Sequence, residues 1–533
     1  MLDAAIARQP RLPRFLCHIF QRLKQQRLNL VTGAGISIDA GVPGWHALLE
    51  RLAAHEEALR QDLGLHRADG LNPEYLGQII YHRYKNNNPS DVPEDLRAAT
   101  IEHGWGAAIH KAIYQNVDDD IEKVISSHPY LGQLRDVARK VPLVINFNFD
   151  DILAEVIGNQ IKVGNVPGNA LSVSWQPPLT DRQDLTTIYH VNGILPRVSL
   201  KKRSPQLIFT EDSFADARAR APGVSAEYLF LRFVQNTMLL IGHSLADSSL
   251  KNYLRLNRDK SPANHHYMLF WIKDNESISQ SRRDDIFEAN LELYNLITIF
   301  LTSTEIGEFL HILNNEEREF SELVAELGLD KRSRYHYYIA GPVAAGKSTL
   351  LEHLRCFQTH EEWTRPPPSE MYLASNKINE AQQVKVDQFI YSELKEKNRR
   401  MHVAPVGFHF MDRAPLDLYA FSNTAAENKE KTRSLREKVT RDHSLQQGEV
   451  IFITATPGTL VRRNMARGRS PEDAGKEDYL AGQAKILEEI YKPKFKLSTE
   501  LCGAGEAARR VARHVLFNDY CPVNLEAIVN RYE

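Results

Sequence analysis

The sequence predicts an α/β protein with two domains, each built on a parallel sheet. The chain has 533 residues, which allows two to four domains at ~100–200 residues each. Short runs of apolar or β-branched residues recur without polar alternation, as expected for sheets covered on both faces. Two glycine-containing loops, starting at Gly33 and Gly341, each follow such a run, which is where α/β sheets bind phosphates.

Composition excludes several classes of protein. Hydrophobic residues make up 42% and charged residues 25% of the chain, the mix of an ordinary globular protein rather than a collagen-like or disordered one. Lys and Arg number 66 against 68 Asp and Glu, a net charge of -2. No overall field therefore attracts nucleic acid or an anionic membrane, and nucleic acid is not expected to be the main partner.

The four cysteines are widely separated and form no CxxC pair. This spacing argues against a zinc ribbon or a disulfide framework and fits a reducing compartment. No stretch reaches the ~18 apolar residues of a membrane span, and the first residues lack the layout of a secretory signal. We therefore expect a cytoplasmic protein.

The strands of the first domain are predicted from apolar runs, with room for a helix between successive runs. They are LNLV before Thr32, PLVIN near residue 145, TTIYHV near 188, TMLLIG near 239, YMLFWI near 269 and LITIFL near 298. Charged, helix-period sequence follows from Asn314 to Arg334. A second series of strands then comprises YHYYIAG, VGFHFMD and VIFITA. We place the domains at residues 1–325 and 326–533.

The first glycine loop runs from Thr32 to Trp45. Gly33 and Gly35 would let the backbone approach a pyrophosphate, with exposed peptide nitrogens at residues 33–37 and the next helix N-terminus facing it. The dinucleotide fingerprint GxGxxG requires a third glycine where this chain has Ile38. The loop alone therefore also fits a tight turn without a ligand.

Four segments in order resemble the sirtuin-like fold: GAGIS with AGVPGW, NFNFDDIL at 146–153, YHVNG at 189–193 and IGHSLAD at 241–247. The resemblance covers most of residues 25–305 and implies a Rossmann-like parallel sheet that binds NAD. The segment after the glycine turn would fold over the nicotinamide ribose, and the segment at 241–247 would bind the adenosine side. The implied NAD-binding residues are Gly33, Ala34, Gly35, Ser37, Asp39, Pro43, Trp45, Gly242, Ser244 and Asp247.

Cleavage of the bond between nicotinamide and ribose develops oxocarbenium character at the ribose carbon. The site then needs hydrogen-bond acceptors and a positioned water. Asn148 and Asp150 follow a predicted strand end, and an Asn amide offers both a donor and an acceptor. With His190 and Asn192 they form the candidate catalytic group. The structural alternatives are that Asn148 only forms a turn and that His190 only lines the side of the site.

The sequence departs from the sirtuin pattern in two ways. The family's general-base histidine directly precedes the glycine of the YHVNG segment, where this chain has Asn192. Strand periodicity places His190 on the same face, about 7 Å along the strand. The four-cysteine zinc module of the protein deacylases cannot be assembled from these cysteines. What remains resembles the zinc-free branch of bacterial anti-phage defence proteins, which hydrolyse NAD when a fused sensor is triggered.

The second glycine loop, Gly341 to Ser348, satisfies GxxxxGK[ST] between a predicted strand and a helix. Backbone amides and Lys347 would hold the β- and γ-phosphates of a nucleotide, and Ser348 would ligate Mg²⁺. Thr349 is a further candidate nucleotide-binding residue. Gly346 completes the motif. A loop that keeps this shape without a nucleotide is the alternative.

Two further segments resemble nucleoside and nucleotide kinases. Asp412 and Arg413 follow the run VGFHFM and are similar to the kinase motif whose acid acts on the acceptor hydroxyl or its metal. Arg463 and Arg467 are similar to the arginine-bearing lid over the transferring phosphoryl group, since guanidinium binds phosphate oxygens bidentately. An exposed arginine-rich helix is the alternative.

The preferred hypothesis is an oligomeric anti-phage defence protein that hydrolyses NAD to nicotinamide and ADP-ribose, controlled by a kinase-like domain that binds ATP or another nucleotide. A phage-derived or partner-protein trigger would start the reaction. A second hypothesis is a nucleoside or nucleotide kinase whose first domain only binds NAD or ADP-ribose. A third treats both sites as degenerate and the chain as a scaffold.

Overall fold

The structure is a computed structural model of the chain. It describes most of the sequence, with gaps of one to eleven residues. The described residues are 2–55, 57–68, 70–87, 93–118, 120–158, 170–178, 185–198, 203–204, 207–219, 224–273, 278–328, 330–372, 378–422, 424–466 and 476–533.

The chain divides into two compact units, each with its own parallel sheet. Unit 1 comprises Met1–Gln9, Arg22–Arg258 and His265–Asn315, and unit 2 comprises Pro10–Gln21, Asp259–Asn264 and Glu316–Glu533.

Unit 1 contains a seven-stranded sheet in the order β3-β4-β2-β1-β5-β6-β7, with every pairing parallel. Its strands are β1 Leu28–Thr32, β2 Leu143–Asn146, β3 Ala170–Ser174, β4 Leu185–His190, β5 Thr237–Ile241, β6 His266–Trp271 and β7 Leu296–Leu301. After β1 the chain builds one side of the sheet and then, from β5 onward, the other. The carboxyl end of β1 is therefore the point at which strand order reverses, where α/β sheets open a crevice.

Unit 2 contains a five-stranded parallel sheet in the order β12-β11-β8-β10-β9. Its strands are β8 Arg334–Ala340, β9 Gln358–His360, β10 Gly407–Asp412, β11 Glu449–Thr454 and β12 Phe495–Ser498. The first strand, β8, lies between β10 and β11, so strand order reverses at β8 as well.

Helices connect the strands, and the described residues include short 3₁₀ helices at Ala53–His55, Ser369–Tyr372 and Asp417–Phe421. The α-helices are α1 Asp3–Arg8, α2 Leu12–Lys24, α3 Gly35–Ile38, α4 Trp45–Leu52, α5 Glu57–Ala68, α6 Pro73–Asn87, α7 Glu94–Tyr114, α8 Ile121–Ser127, α9 Tyr130–Ala138, α10 Ile152–Gly158, α11 Glu211–Ala219, α12 Val224–Gln235, α13 Ser248–Lys260, α14 Gln280–Tyr294, α15 Ser303–Asn314, α16 Glu317–Leu327, α17 Lys347–His353, α18 Glu380–His402, α19 Ala425–Lys438, α20 Pro457–Ala466, α21 Glu477–Tyr491, α22 Ala504–Phe517 and α23 Leu525–Val529.

Burial explains why the central strands read as continuous apolar runs. Every residue of β1, β2 and β5 is buried, because helices cover both faces of a parallel sheet. Local signals start some of the helices. Thr302 and Glu305 form a capping box at the start of α15, as do Asn379 and Gln382 at the start of α18.

The structure confirms the predicted α/β fold with parallel sheets. All nine predicted strands are present, as β1, β2, β4 to β8, β10 and β11. The sequence reading missed β3, β9 and β12, each at an edge of its sheet. None of the described helices combines the length and the apolar character that a membrane span requires. The four cysteines, all of which are described, form no disulfide.

Candidate functional sites

In unit 1, polar side chains form a row across the carboxyl ends of three neighbouring strands. Thr32 of β1 is in register with Asn146 of β2, which is in register with His190 of β4. All three residues are fully buried. Thr32 Oγ1 donates to Asn146 Oδ1 at 3.0 Å, whereas Asn146 Nδ2 is buried without a hydrogen-bond partner among the described residues. The row therefore presents a free donor at the edge of the sheet where a ligand binds.

The glycine turn after β1 packs against the loop after β5. Gly33 N donates to Ile241 O at 3.1 Å and Gly35 N to Gly242 O at 3.0 Å. A Cβ on Gly33 would lie 2.7 Å from Gly242 O, and Gly242 itself has φ +71° and would place a Cβ 2.8 Å from Ile36 N. The glycines therefore serve a close approach between two loops.

This packing corrects one sequence expectation. The amides of residues 33, 35, 36 and 37 donate to carbonyl oxygens of the protein, so they are not exposed toward a pyrophosphate. The helix that follows, α3, is a single turn of four residues. Ala34 and Gly35 are exposed. Their contribution to NAD binding stays a prediction.

Asn148 lies two residues beyond β2 and bridges the loop after β2 to the glycine turn. Its Nδ2 donates to Gly33 O at 3.0 Å and to Ser37 Oγ at 3.2 Å. Its backbone N donates to Asn146 Oδ1 at 3.1 Å. Asn148 Oδ1 has no donor among the described residues, so this acceptor is available to a water or a ligand hydroxyl.

His190, the last residue of β4, has a defined tautomer. Its Nδ1 lies 2.9 Å from Asn148 O, and because a carbonyl oxygen only accepts, Nδ1 carries the proton. Burial lowers the pKa of His190 to about 4, so the ring is neutral near pH 7. Nε2 is therefore an unprotonated acceptor, buried with no partner in the described part of the chain.

Asp150 is 2% exposed and joins the glycine turn to α10. Its Oδ1 accepts from Ser37 Oγ at 2.8 Å and from Ile152 N at 3.2 Å. Burial, partly offset by the hydrogen bond from Ser37, raises the pKa of Asp150 to about 6. The carboxyl group positions Ser37, which in turn contacts Asn148.

Asn192 does not continue the strand as the periodicity argument assumed. β4 ends at His190, and Asn192 lies in the turn that follows. Its Nδ2 donates to Phe147 O at 3.1 Å. Asn192 thus supports the loop after β2 from one side while His190 binds the same loop at Asn148 O.

The remaining predicted NAD-binding residues lie around this crevice in different environments. Trp45 starts α4, and its ring packs on Phe149 at 6.0 Å and Phe209 at 5.1 Å between centroids. Its Nε1 is buried without a partner among the described residues. Pro43 is buried. Asp39 Oδ2 accepts from Tyr130 OH at 2.7 Å.

On the β5 side, Ser244 is exposed, and Asp247 Oδ1 accepts from Leu250 N at 2.8 Å at the start of α13. The sequence analysis did not single out His243, which directly precedes Ser244. One of its ring nitrogens bonds the backbone of Thr32, burial lowers its pKa to about 4, and the ring packs edge-on against Phe147 at 5.2 Å. Nε2 of His243 is a second buried imidazole nitrogen without a partner in the described residues.

In unit 2, the loop from Gly341 to Ser348 connects β8 to α17, as the motif predicts. Gly341 has φ +152°, and a Cβ there would lie 2.1 Å from Ile453 O. Lys347 Nζ donates to Gly341 O and Pro342 O, both at 2.9 Å. Burial, with repulsion from Arg413, lowers the pKa of Lys347 to about 8.

Ser348 Oγ donates to Asp412 Oδ2 at 2.9 Å, which joins the phosphate loop to the end of β10. Asp412 is 1% exposed, and its Oδ1 has no partner among the described residues. Two oxygen groups at this point suit Mg²⁺, which usually takes one or two protein ligands plus phosphates and waters. Among the described residues no group of three or more His, Cys, Asp or Glu is arranged to hold a metal ion. Thr349 is exposed.

Arg413 has a left-handed backbone, with φ +66°, which is strained for a side-chain-bearing residue. Its guanidinium forms an ion pair with Glu362 and lies over the Phe421 ring at 5.8 Å. Glu362 was missed in the sequence, since it belongs to no motif and reaches the site only through the fold.

Arg463 on α20 is held close to the phosphate loop. It donates to Thr499 Oγ1 at 2.8 Å and to Thr499 O at 3.0 Å, and Thr499 Oγ1 donates to Ala345 O at 2.9 Å. Its guanidinium is thus engaged with the protein. Arg467 lies outside the described residues.

Residues 142–298 match the family model described as SIR2-like domain. The match covers β2 to β6 and the first half of β7, and it supports the sirtuin-like resemblance for this part of the chain. A search of the curated proteins finds no match.

Solved structures resemble the chain only weakly. Deoxyadenosine kinase from M. mycoides with bound dATP is 20% identical, with 34% of this chain and 98% of that chain covered and a TM-score of 0.28. The same kinase with the products dCMP and a flexible dCDP bound is 19% identical, with 34% of this chain and 98% of that chain covered and a TM-score of 0.27. The NadR protein in complex with NR is 12% identical, with 55% and 81% covered and a TM-score of 0.24. Similarity at this level does not identify the function of the chain.

Proposed function

We propose that unit 1 hydrolyses NAD to nicotinamide and ADP-ribose. The observation that supports this most directly is the His190 imidazole, whose Nδ1 proton is held by Asn148 O and whose Nε2 is a free acceptor. It lies at the strand ends of a segment that matches the SIR2-like domain. A neutral imidazole with a free nitrogen is the group a general base requires.

The proposed reaction breaks the bond between the ribose carbon and the nicotinamide nitrogen, and the electron pair of that bond leaves with nicotinamide. A water oxygen forms the new bond to the ribose carbon while its proton passes to His190 Nε2. Asn148 Oδ1 accepts from that water or from a ribose hydroxyl. Asp150 and Asn192 act as positioning residues, because their contacts are to Ser37 and to Phe147 O.

We propose that unit 2 binds ATP or another nucleotide and thereby regulates unit 1. Lys347 and the backbone of the phosphate loop would hold the phosphates, with Ser348 and Asp412 at Mg²⁺. Arg413 and Arg463 supply further positive charge close to the loop. Loss of cellular NAD on a phage-derived signal, in an oligomer, is the biological role that the sirtuin-like resemblance implies.

Nicotinamide release from NAD by the purified full chain tests the proposal. His190→Gln and Asn148→Ala are each expected to reduce the rate by about 10²-fold or more, the usual effect of removing a general base or a positioned polar group. His311→Gln, on the exposed side of α15, is the matched control and keeps the rate. Equal rates in all four proteins would remove both catalytic assignments.

A second candidate function, phosphoryl transfer to a nucleoside or nucleotide, is favoured by one observation. Asp412 accepts a hydrogen bond from Ser348 of the phosphate loop. The next residue, Arg413, forms an ion pair with the Glu362 carboxylate. A carboxylate beside a phosphate loop can accept the proton of an acceptor hydroxyl. Incubation with Mg·ATP and a panel of nucleosides and nucleoside monophosphates tests it, and the phosphorylated product should be absent with Lys347→Ala.

A further inference from the structure

Lys397, near the end of α18, is a buried cation with few partners. Its residue is 6% exposed. Among the described residues its Nζ makes one hydrogen bond, a long one of 3.5 Å to Asp412 O, and it lies 5.5 Å from the centroid of the Trp363 ring. Within the described part of the chain no carboxylate lies within 4.0 Å of this ammonium group.

Such an arrangement is unusual for a buried charge. An ammonium group has three donors, and buried charges are normally paired or bonded to several acceptors. With one long hydrogen bond, two donors of the ammonium group are left for an anion that the described residues do not bring within 4.0 Å.

The acidic side chains closest to Lys397 already have other partners. Glu362 pairs with Arg413. Glu393 accepts from the backbone and side chain of Thr364 and from Arg365. Asp412 Oδ2 accepts from Ser348. Glu362 and Glu393 are thus committed to other partners, whereas Asp412 Oδ1 has none among the described residues. The ammonium group of Lys397 lies beside Asp412, at its main-chain carbonyl.

The position of Lys397 relates it to the phosphate loop. Asp412 binds the loop through its side chain and Lys397 through its main-chain carbonyl. Lys347, the lysine of the motif, folds back onto the carbonyls of Gly341 and Pro342 at the start of the loop. The two buried lysines therefore reach the site from different elements, and Lys397 adjoins the residues that would hold the metal bridging the β- and γ-phosphates.

We propose that Lys397 binds the terminal phosphate of a nucleoside triphosphate held by the phosphate loop. This rests on the proposed nucleotide binding of unit 2 and adds that the site distinguishes triphosphate from diphosphate. A diphosphate lacks the group that Lys397 contacts, so its binding depends on the loop alone. The alternative is a packing role, in which the aliphatic stem and ammonium of Lys397 only fill the space against Trp363.

Titration calorimetry with the full chain and Mg²⁺ tests the assignment, using a non-hydrolysable triphosphate, AMP-PNP, and ADP. Lys397→Met keeps an unbranched apolar side chain but removes the charge. We expect it to weaken AMP-PNP binding by about tenfold or more, the value of a charge-assisted hydrogen bond, and to leave ADP binding within about twofold. Lys395→Met is the control. Lys395 is an exposed lysine on the same helix as Lys397 and pairs with Asp442, so its removal should change neither AMP-PNP binding nor ADP binding.

Several results would overturn the proposal. Unchanged AMP-PNP binding by Lys397→Met, or equal weakening of AMP-PNP and ADP, assigns Lys397 a packing role. If Lys397→Met weakened only the binding of a monophosphate such as AMP, Lys397 would bind the phosphate of an acceptor nucleotide and not the terminal phosphate of the triphosphate. If thermal unfolding shows that Lys397→Met is not folded, Lys397→Arg replaces it in the test. This variant retains the cation, so it must retain the preference for triphosphate over diphosphate.

Failure of the underlying nucleotide proposal gives a different result. In that case the unmodified protein binds neither nucleotide, and both proposals fall. If the unmodified protein binds both and Lys347→Ala binds neither, loop binding is upheld. The ratio of the two affinities in Lys397→Met then decides the role of Lys397 alone.

Discussion

At the level of single residues, three of the buried nitrogens that lack a partner among the described residues lie in one crevice of unit 1. Asn146 Nδ2, His190 Nε2 and His243 Nε2 are all buried at the carboxyl ends of unit 1 strands without partners among the described residues. Burying an unpaired polar group costs about 1–3 kcal/mol. A bound ligand or an ordered water would supply the missing partners, and the proposed NAD site assigns that role to the ligand.

His243 tests this argument away from the residues that the sequence singled out. His243→Phe keeps an aromatic ring against Phe147 but removes Nε2. We expect about tenfold weaker binding of carba-NAD, a non-hydrolysable analogue, because one hydrogen bond to the ligand is lost. Calorimetry measures the affinity. An unchanged affinity with an unchanged melting temperature would show that His243 does not face the ligand.

Buried His190 also gives unit 1 a predictable response to acid. Its folded-state pKa of about 4 lies below its unfolded value of 6.5, so the unfolded chain takes up the proton first. The stability that it contributes is complete above pH 6.5 and is lost as the pH falls towards 4. We therefore expect the free energy of unfolding, measured with urea, to fall less with decreasing pH in His190→Gln than in the unmodified protein. The slopes of this free energy against pH should differ by up to about one bound proton. Identical slopes would contradict the buried neutral state.

At the scale of elements, the sequence predicted the strands that are buried on both faces and missed most of the edge strands. β3, β9 and β12 read ALSVS, QTH and FKLS, which are short, polar or alternating because one side of an edge strand has no neighbour. β7, also at an edge, was found because all six of its residues are buried.

The glycine loops show what local sequence can and cannot predict about a site. GxxxxGK[ST] predicts a strand, loop and helix together, and the structure has all three. The contact of Gly33 with Gly242 and the pairing of Glu362 with Arg413 join residues far apart in the chain. Sheet order and register create these contacts, and no local pattern encodes them.

Gly341 provides a test at this scale. Gly341→Ala would place a Cβ 2.1 Å from Ile453 O, so the loop or β11 must shift. We expect loss of Mg·ADP binding by calorimetry together with a lower melting temperature.

Gly482 in α21 is the matched control, because nothing lies within 4 Å of an added Cβ. Gly482→Ala should retain nucleotide binding and stabilise the helix by about 0.5–1 kcal/mol. Normal ADP binding by Gly341→Ala would mean that the loop tolerates a different backbone and that its described shape is not required.

At the scale of the whole molecule, both units follow one plan. In each unit the first strand along the chain is central in its sheet, and the glycine loop after it lies where strand order reverses. This shared geometry places a candidate NAD site in unit 1 and a candidate nucleotide site in unit 2, and the proposed regulation requires the two to be energetically coupled.

Coupling predicts that nucleotide changes the rate of NAD hydrolysis in the full chain. We expect Lys347→Ala, which removes the ammonium group of the phosphate-loop motif, to make that rate independent of added Mg·ATP. Nicotinamide release with and without nucleotide measures the effect. The same dependence on nucleotide in Lys347→Ala and the unmodified protein would show that the phosphate loop does not control unit 1.

The proposed reaction requires unit 1 to hold NAD with its glycosidic bond between Asn148 and His190. A crystal structure of the full chain with carba-NAD would locate that bond. We expect the nicotinamide-bearing ring to lie within hydrogen-bond distance of Asn148 Oδ1, with His190 Nε2 facing the position of the attacking water. If the ligand is bound elsewhere, or if the glycine turn closes the crevice, the proposed NAD site is wrong.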